Sequence, residues 1–216
     1  TDRTRMVFLA NPNNPTGSYV PVDELRRLHA GLPSETLLVI DAAYAEYVSR
    51  NDYISGAELV ETFENVVMTR TYSKAFGLAA LRLGWAYCPS VIANVLNRVR
   101  NPFNVTAAAQ VAGVAAVGDL SHSDAVVAHN DEWLPRFTDE LKGLGLEVPP
   151  SVGNFVLVRF GTAERAQSAY DHLMKCGVIT RMMGGYGLPD SLRITVGLGP
   201  ELKAVLDGLS EYERTT

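Results

Sequence analysis

Lys74 stands in the stretch Thr71-Tyr72-Ser73-Lys74-Ala75-Phe76-Gly77, with Arg82 eight residues beyond it. A neutral lysine amine adds to a carbonyl carbon and forms a Schiff base. The hydroxyls of Thr71 and Ser73, with the Arg82 guanidinium, are a donor set that can hold a phosphate dianion. Together these groups suit a ligand that carries both an aldehyde and a phosphate. Taken alone, the same window also fits a surface turn with a solvated lysine.

Other residues raise the first reading. Asp41 closes the apolar run over 36–40, where an unpaired carboxylate is costly. It fits a helix N-cap or a salt-bridged residue. It also fits the counter-ion of a ring nitrogen that must stay protonated. Tyr44, three residues on, fits core packing or a phenol aimed at a ring oxygen. Asn14 fits a turn cap, or a second donor to that oxygen. Lys74, once displaced by an incoming amine, can carry a proton between the substrate carbon and the cofactor carbon. As a set the residues fit a pyridoxal phosphate site.

These groups need elements that bring them together. The pattern predicts a buried-looking strand over 6–9, a rigid loop rich in asparagine and proline over 10–17, and a helix over 21–30 opened by Pro21. A strand over 36–40, a helical segment near 56–63 and a strand over 66–69 follow. The uninterrupted apolar run at 36–40 suits a strand covered on both faces. This alternation predicts an α/β fold with a mostly parallel sheet flanked by helices. Ligands of such sheets bind beyond the carboxyl ends of the strands. Asn14, Asp41, Tyr44 and Lys74 all lie just past strand ends.

Downstream, a strand over 83–88 ends at Pro89. Helices follow over 91–99, 106–117 and 121–143, the last with a kink expected at Pro135. The texture then changes to a strand at 154–160, a helix at 163–176, strands at 178–181 and 191–196, and a helix at 200–212. This reads as a smaller α+β domain. The expected division is a large domain over 1–120 and a small C-terminal domain over 121–216.

The chain has 216 residues, is 47% hydrophobic and carries a net charge of -5, which argues against a nucleic-acid surface. Its longest apolar runs are too short to span a membrane. Cys88 and Cys176 lack metal-type spacing, and a cytoplasmic, disulfide-free protein is expected. His122 and His129, and the His129/Glu132 pair, are expected on a solvated helix face without a metal. His29 and His172 read as lone helical histidines. Residues 182–187 read as a flexible loop able to move over a ligand.

Asn-Pro-Asn-Asn-Pro-Thr-Gly at 11–17, Asp-x-x-Tyr at 41–44 and Thr-Tyr-Ser-Lys-x-Phe-Gly-Leu-x-x-Leu-Arg-x-Gly at 71–84 resemble the class I/II aminotransferases of PLP fold type I. The similarity is nearest to the histidinol-phosphate aminotransferase branch and runs along essentially the whole chain. It implies pyridoxal 5'-phosphate as cofactor, with Lys74 as the Schiff-base lysine and Asp41 as the partner of the ring nitrogen. It implies Asn14 and Tyr44 at the ring hydroxyl, and Thr71, Ser73 and Arg82 at the phosphate. Leu192-Arg193-Ile194-Thr195-Val196-Gly197 resembles the segment whose arginine binds the substrate's anionic group, and Arg181 matches a second such arginine. Arg193 also asks for an anion because it sits within an apolar strand; Arg181 equally fits a solvated strand end.

The implied reaction moves an amino group between L-histidinol phosphate and 2-oxoglutarate or glutamate, in histidine biosynthesis, with small amines and 2-oxo acids as partners. Two arginines suit a site that takes a phosphate and then a carboxylate. They also suit an aromatic-amino-acid aminotransferase or a threonine-phosphate decarboxylase-like enzyme. A non-catalytic PLP-binding sensor is the alternative of another class. Family members are homodimers, and they carry a long region upstream of Met6 that completes the small domain and adds cofactor contacts. This chain is therefore expected to be a fragment that, unaided, retains PLP poorly and turns over little.

Overall fold

The computed structural model describes Thr1 and residues 3–215. Its contacts divide the chain into two units, one of Thr1–Asn13 with Tyr19–Val127, the other of Asn14–Ser18 with Ala128–Thr216.

The first unit is built on a four-stranded sheet of β1 (Met6–Ala10), β2 (Leu37–Asp41), β3 (Val66–Thr71) and β4 (Gly84–Tyr87), in that order. β1, β2 and β3 are parallel, and β4 is antiparallel to β3. Helices α1 (Val22–Ala30) and α2 (Ala57–Thr62) make the two crossovers. Pro21 precedes α1, Asp23 and Glu24 lie in its first turn and Arg27 and His29 in its last, an arrangement that complements the helix dipole.

Strand periodicity sorts the sheet's side chains. Val7, Leu9, Leu38, Ile40, Val66 and Met68 occupy one face by register and pack with Leu25 of α1 and Leu59 of α2. On the other face, Val67 is buried but Phe8 is 74% exposed, and Met6 is 56% exposed. The expectation of a buried strand at 6–9 is thus corrected. The apolar stripes of α1 and α2 pack on the face of β1 that carries Val7 and Leu9, while Met6 and Phe8 point to the other face.

β4 is followed by α3 (Ser90–Val99), α4 (Ala107–Gly118) and α5 (Leu120–Gly143). The Thr106 hydroxyl accepts from the Ala109 amide and caps α4. α5 runs on through Pro135 as one helix, and the division into units falls within it. Among the described residues no helix is long and apolar enough to cross a membrane.

The second unit holds a three-stranded antiparallel sheet of β5 (Phe155–Arg159), β6 (Arg181–Met182) and β7 (Ser191–Thr195), in the order β5-β7-β6. Helices α6 (Ala163–Lys175) and α7 (Gly199–Thr215) complete it. Val156, Val158, Leu192 and Ile194 form a core with Phe137 and Leu141 of α5, Leu173 of α6 and Leu209 of α7. The strand expected at 178–181 shortens to Arg181–Met182. Gly177 turns the chain with φ 79°, and Val178 bonds back to the Leu173 carbonyl, so residues 178–180 are spent on leaving the helix. Within the expected loop at 182–187, Gly184–Tyr186 form a 3-10 turn.

Candidate active site

The parallel register sets Ala10 beside Asp41 and Asp41 beside Thr69, so the segments after β1, β2 and β3 leave the sheet at one edge. Asp41 is exposed there, and the Thr69 hydroxyl donates to its Oδ1 at 3.4 Å. It neither caps a helix nor makes an ion pair among the described residues.

Asn11 anchors the loop after β1 and was not singled out by the sequence. It is fully buried; its side chain donates to the Val20 carbonyl at 3.1 Å and accepts from the Val20 amide at 2.8 Å. Its amide donates to the Asp41 carbonyl at 2.9 Å, and its carbonyl accepts from the Tyr53 hydroxyl at 2.9 Å. Every backbone and side-chain polar group of Asn11 is thereby satisfied, which is what a buried asparagine requires. A polar residue wedged between an apolar strand and a proline was the available signal. The peptide bonds Asn11-Pro12 and Asn14-Pro15 are both cis.

Tyr44 is buried, and the Lys74 ammonium nitrogen lies 5.0 Å from its ring centroid, within cation–π range. The sequence contains four lysines, of which Lys142, Lys175 and Lys203 are exposed and Lys74 is half-buried. The loop holds Lys74 through its own bonds. The Gly77 amide donates to the Lys74 carbonyl at 2.9 Å, with Gly77 at φ 71°, and the Leu78 amide donates to the Tyr72 carbonyl at 2.8 Å. A second support lies beneath the loop. A Cβ on Gly113 of α4 would sit 2.4 Å from Leu83 Cδ2, so a glycine there lets the helix close on it.

Around Ser73 the donors converge. Arg82 donates to the Ser73 hydroxyl at 3.4 Å and also to the Ala79 carbonyl. The Thr71 hydroxyl accepts from the Ser73 amide at 3.1 Å and reaches the Leu83 carbonyl at 3.5 Å. Arg82 itself adopts a left-handed conformation, φ 53°. A non-glycine residue in that region costs on the order of 1–3 kcal/mol. From this backbone conformation the guanidinium reaches back to Ser73. A guanidinium and hydroxyls gathered in one place suit a phosphate dianion.

A further tie, missed in sequence, joins the two loops. Arg70 of β3 pairs with Glu46, two residues past Tyr44, at 2.5 Å, and the side chains are only 18% and 14% exposed. The pair is single-pronged, with Arg70 Nε and Glu46 Oε2 buried and unpartnered. Burial pushes the neighbouring Tyr47 phenol up to about 12, and raises that of Tyr53 as well.

In the second unit, Arg193 of β7 donates to the Asn14 side-chain oxygen at 2.6 Å and lies over the Phe155 ring at 5.2 Å. Its Nε is buried without a partner. Arg181 is the register partner of Arg193, and opposite residues of an antiparallel pair share a face. Arg181 is exposed. The two cations line one cleft of about 580 Å³ together with Thr180, Thr195 and Glu201. His129 is half-buried and bonds the Gly197 carbonyl at 3.0 Å, which corrects its placement on a solvated face. The turn of α5 that carries it packs toward the end of β7, and the imidazole satisfies a carbonyl there.

A family model described as aminotransferase class I and II matches residues 1–208. The chain is 57% identical over 213 residues to a histidinol-phosphate aminotransferase of Rhodospirillum centenum, covering 98% of this chain and 59% of that protein. It is 56% identical over 214 residues to the enzyme of the same name from Paramagnetospirillum magneticum, again with 98% and 59% coverage. The crystal structure of histidinol-phosphate aminotransferase from Sinorhizobium meliloti in complex with pyridoxal-5'-phosphate superposes with a TM-score of 0.90 at 32% identity, covering 98% of this chain and 58% of that one. The chain thus spans about 59% of the length of the curated relatives it matches.

Proposed function

Because this chain belongs to the class I and II aminotransferases, we propose that it carries the reacting lysine of a pyridoxal-phosphate-dependent transfer of an amino group between L-histidinol phosphate and 2-oxoglutarate or glutamate. The observation that carries the reading is the setting of Lys74. It is the half-buried lysine of four, lies over Tyr44, and stands between Ser73 and Arg82, which are bonded to each other beside Thr71. The activity named for the relatives from Rhodospirillum and Paramagnetospirillum supports the substrate.

Pyridoxal phosphate, when bound, supplies an aldehyde to which amines add and a protonated ring that accepts electron density. In this reading Thr71, Ser73 and Arg82 hold its phosphate. The Asp41 carboxylate favours a proton on the ring nitrogen by opposite charge. Tyr44 and Asn14 donate to the ring oxygen. Lys74 Nζ would be the amine that meets the aldehyde and, when free, the base placed to take a proton from the amine-bearing carbon of the substrate. Arg193 and Arg181 bind the phosphate of histidinol phosphate and, in the reverse half of the cycle, the carboxylate of glutamate. Residues 1–120 serve as the cofactor-holding domain and residues 121–216 as the domain with the substrate arginines. A cytoplasmic homodimer belongs to the same reading. The two free cysteines support the compartment, and the exposed apolar side chains of Val91, Val99, Val111 and Val114 support pairing.

The test joins this chain to the unmatched part of the Rhodospirillum centenum relative and measures PLP absorbance and transamination. The expected result is a higher kcat/KM for histidinol phosphate than for phenylalanine, with no decarboxylation of threonine phosphate. Equal or better use of either alternative overturns the substrate assignment. Failure to bind PLP overturns the assignment of the site.

A further inference from the structure

Away from the Lys74 loop, His172, Cys176 and Glu211 bring a ring nitrogen, a thiol sulfur and a carboxylate oxygen within 4.8 Å of one another. His172 and Cys176 are four residues apart, in the last turn and at the C-cap of α6, so they project from one side of the helix. Glu211 comes from the facing α7. Gly208, three residues before Glu211, keeps α7 narrow at this point. A Cβ built on it would lie 3.8 Å from Cys176 Sγ.

Two features distinguish the cluster from a chance meeting of polar side chains. His172 Nε2 is buried and has no hydrogen-bond partner. It faces Glu211 Oε2 across 3.9 Å, too far for a hydrogen bond. Bonds of about 2.0–2.3 Å to a tetrahedral zinc ion set nitrogen, oxygen and sulfur ligands roughly 3.3–3.6 Å apart. The present separations, all within 4.8 Å, exceed these by little more than an ångström, and Cys176 and Glu211 are both exposed. A thiolate and a carboxylate carry the two negative charges that a divalent cation balances, the thiol proton passing to solvent on binding.

We propose that His172, Cys176 and Glu211 form a three-ligand site for a divalent cation of the zinc class, with water as fourth ligand, that ties α6 to α7. A nitrogen and a sulfur in the set select zinc, cobalt or cadmium and disfavour magnesium and calcium, which take oxygen ligands. The site is separate from the amino-transfer chemistry and does not depend on it.

The test titrates the purified, reduced, PLP-free chain with cadmium and reads the ultraviolet thiolate-to-cadmium charge-transfer band. One equivalent is expected to saturate the band. Cys176→Ser should abolish it and Cys88→Ser should leave it intact. His172→Gln and Glu211→Gln should each weaken binding by more than the roughly 10-fold lower limit seen when a ligand's hydrogen-bonding partner is removed. Zinc should raise Tm in the parent chain and not in Cys176→Ser, whose exposed site makes loss of folding no obstacle. Absence of the band in the parent chain, its persistence in Cys176→Ser, or a Glu211→Gln titration that overlays the parent's would overturn the proposal.

Discussion

Arg193 donates to the Asn14 side-chain oxygen at 2.6 Å, joining residues 179 positions apart in the chain. The guanidinium read as a substrate ligand is therefore held by the asparagine read as a cofactor ligand. Its Nε still lacks a partner, a cost that an anion presented to the guanidinium can offset.

Arg193→Lys is expected to lower kcat/KM for histidinol phosphate by more than it weakens PLP binding, which it touches only through Asn14. A lysine keeps the charge but loses the planar fork. The loss of a charged hydrogen bond is worth roughly 1.5–3 kcal/mol, or about 10- to 150-fold. Steady-state kinetics and a PLP titration on the completed chain check the split. Equal losses in both would show that Arg193 acts through the fold and not on substrate.

Arg82→Ala and Arg82→Gly should both weaken PLP binding by roughly 10- to 100-fold, since each removes a charged donor to the phosphate. They should differ in stability. Glycine accepts φ 53° freely, whereas alanine retains the strain. Urea unfolding should find the glycine variant more stable by on the order of 1 kcal/mol. Identical midpoints would mean that the backbone at this position is not strained.

Gly84 explains why the motif ends on glycine. A Cβ there would lie 2.8 Å from the Arg70 carbonyl oxygen, a backbone atom in the paired strand that cannot swing aside. Gly84→Ala should destabilise the chain by roughly 1–3 kcal/mol, as overpacking does. Because Gly84 is the register partner of Thr71, PLP binding should weaken too. Thermal unfolding and PLP titration on one sample set test both effects.

Alkaline pH should unfold the protein through its buried phenols. The Tyr47 phenol is raised by burial from 10.0 to about 12, so the folded state keeps a proton that the unfolded chain releases. That contribution to stability is complete below pH 10 and is lost as pH rises through about 12. Urea midpoints measured from pH 9 to 12 should fall, and Tyr47→Phe should flatten the fall.

The strand ends were legible in sequence because apolar runs stop where polar residues begin, and Asp41 and Lys74 stand at those stops. The partnership of Arg82 with Ser73 was legible because both lie in one short loop. What the sequence did not show depends on long-range packing. Asn11 looked like one more loop residue until four bonds closed around it, and Arg70–Glu46 joins two loops that no spacing rule connects. The exposure of Phe8 was also hidden. An apolar strand residue reads as buried whether or not the chain covers that face.

The most direct measurement is borohydride reduction of the chain in saturating PLP, followed by proteolysis and mass spectrometry. The amine that adds to the aldehyde becomes permanently labelled. The half-buried position of Lys74 over Tyr44 predicts one dominant pyridoxyl adduct, on Lys74, lost in Lys74→Arg. Labelling spread over Lys142, Lys175 and Lys203 in preference to Lys74, or an adduct yield unchanged by Lys74→Arg, would contradict the account.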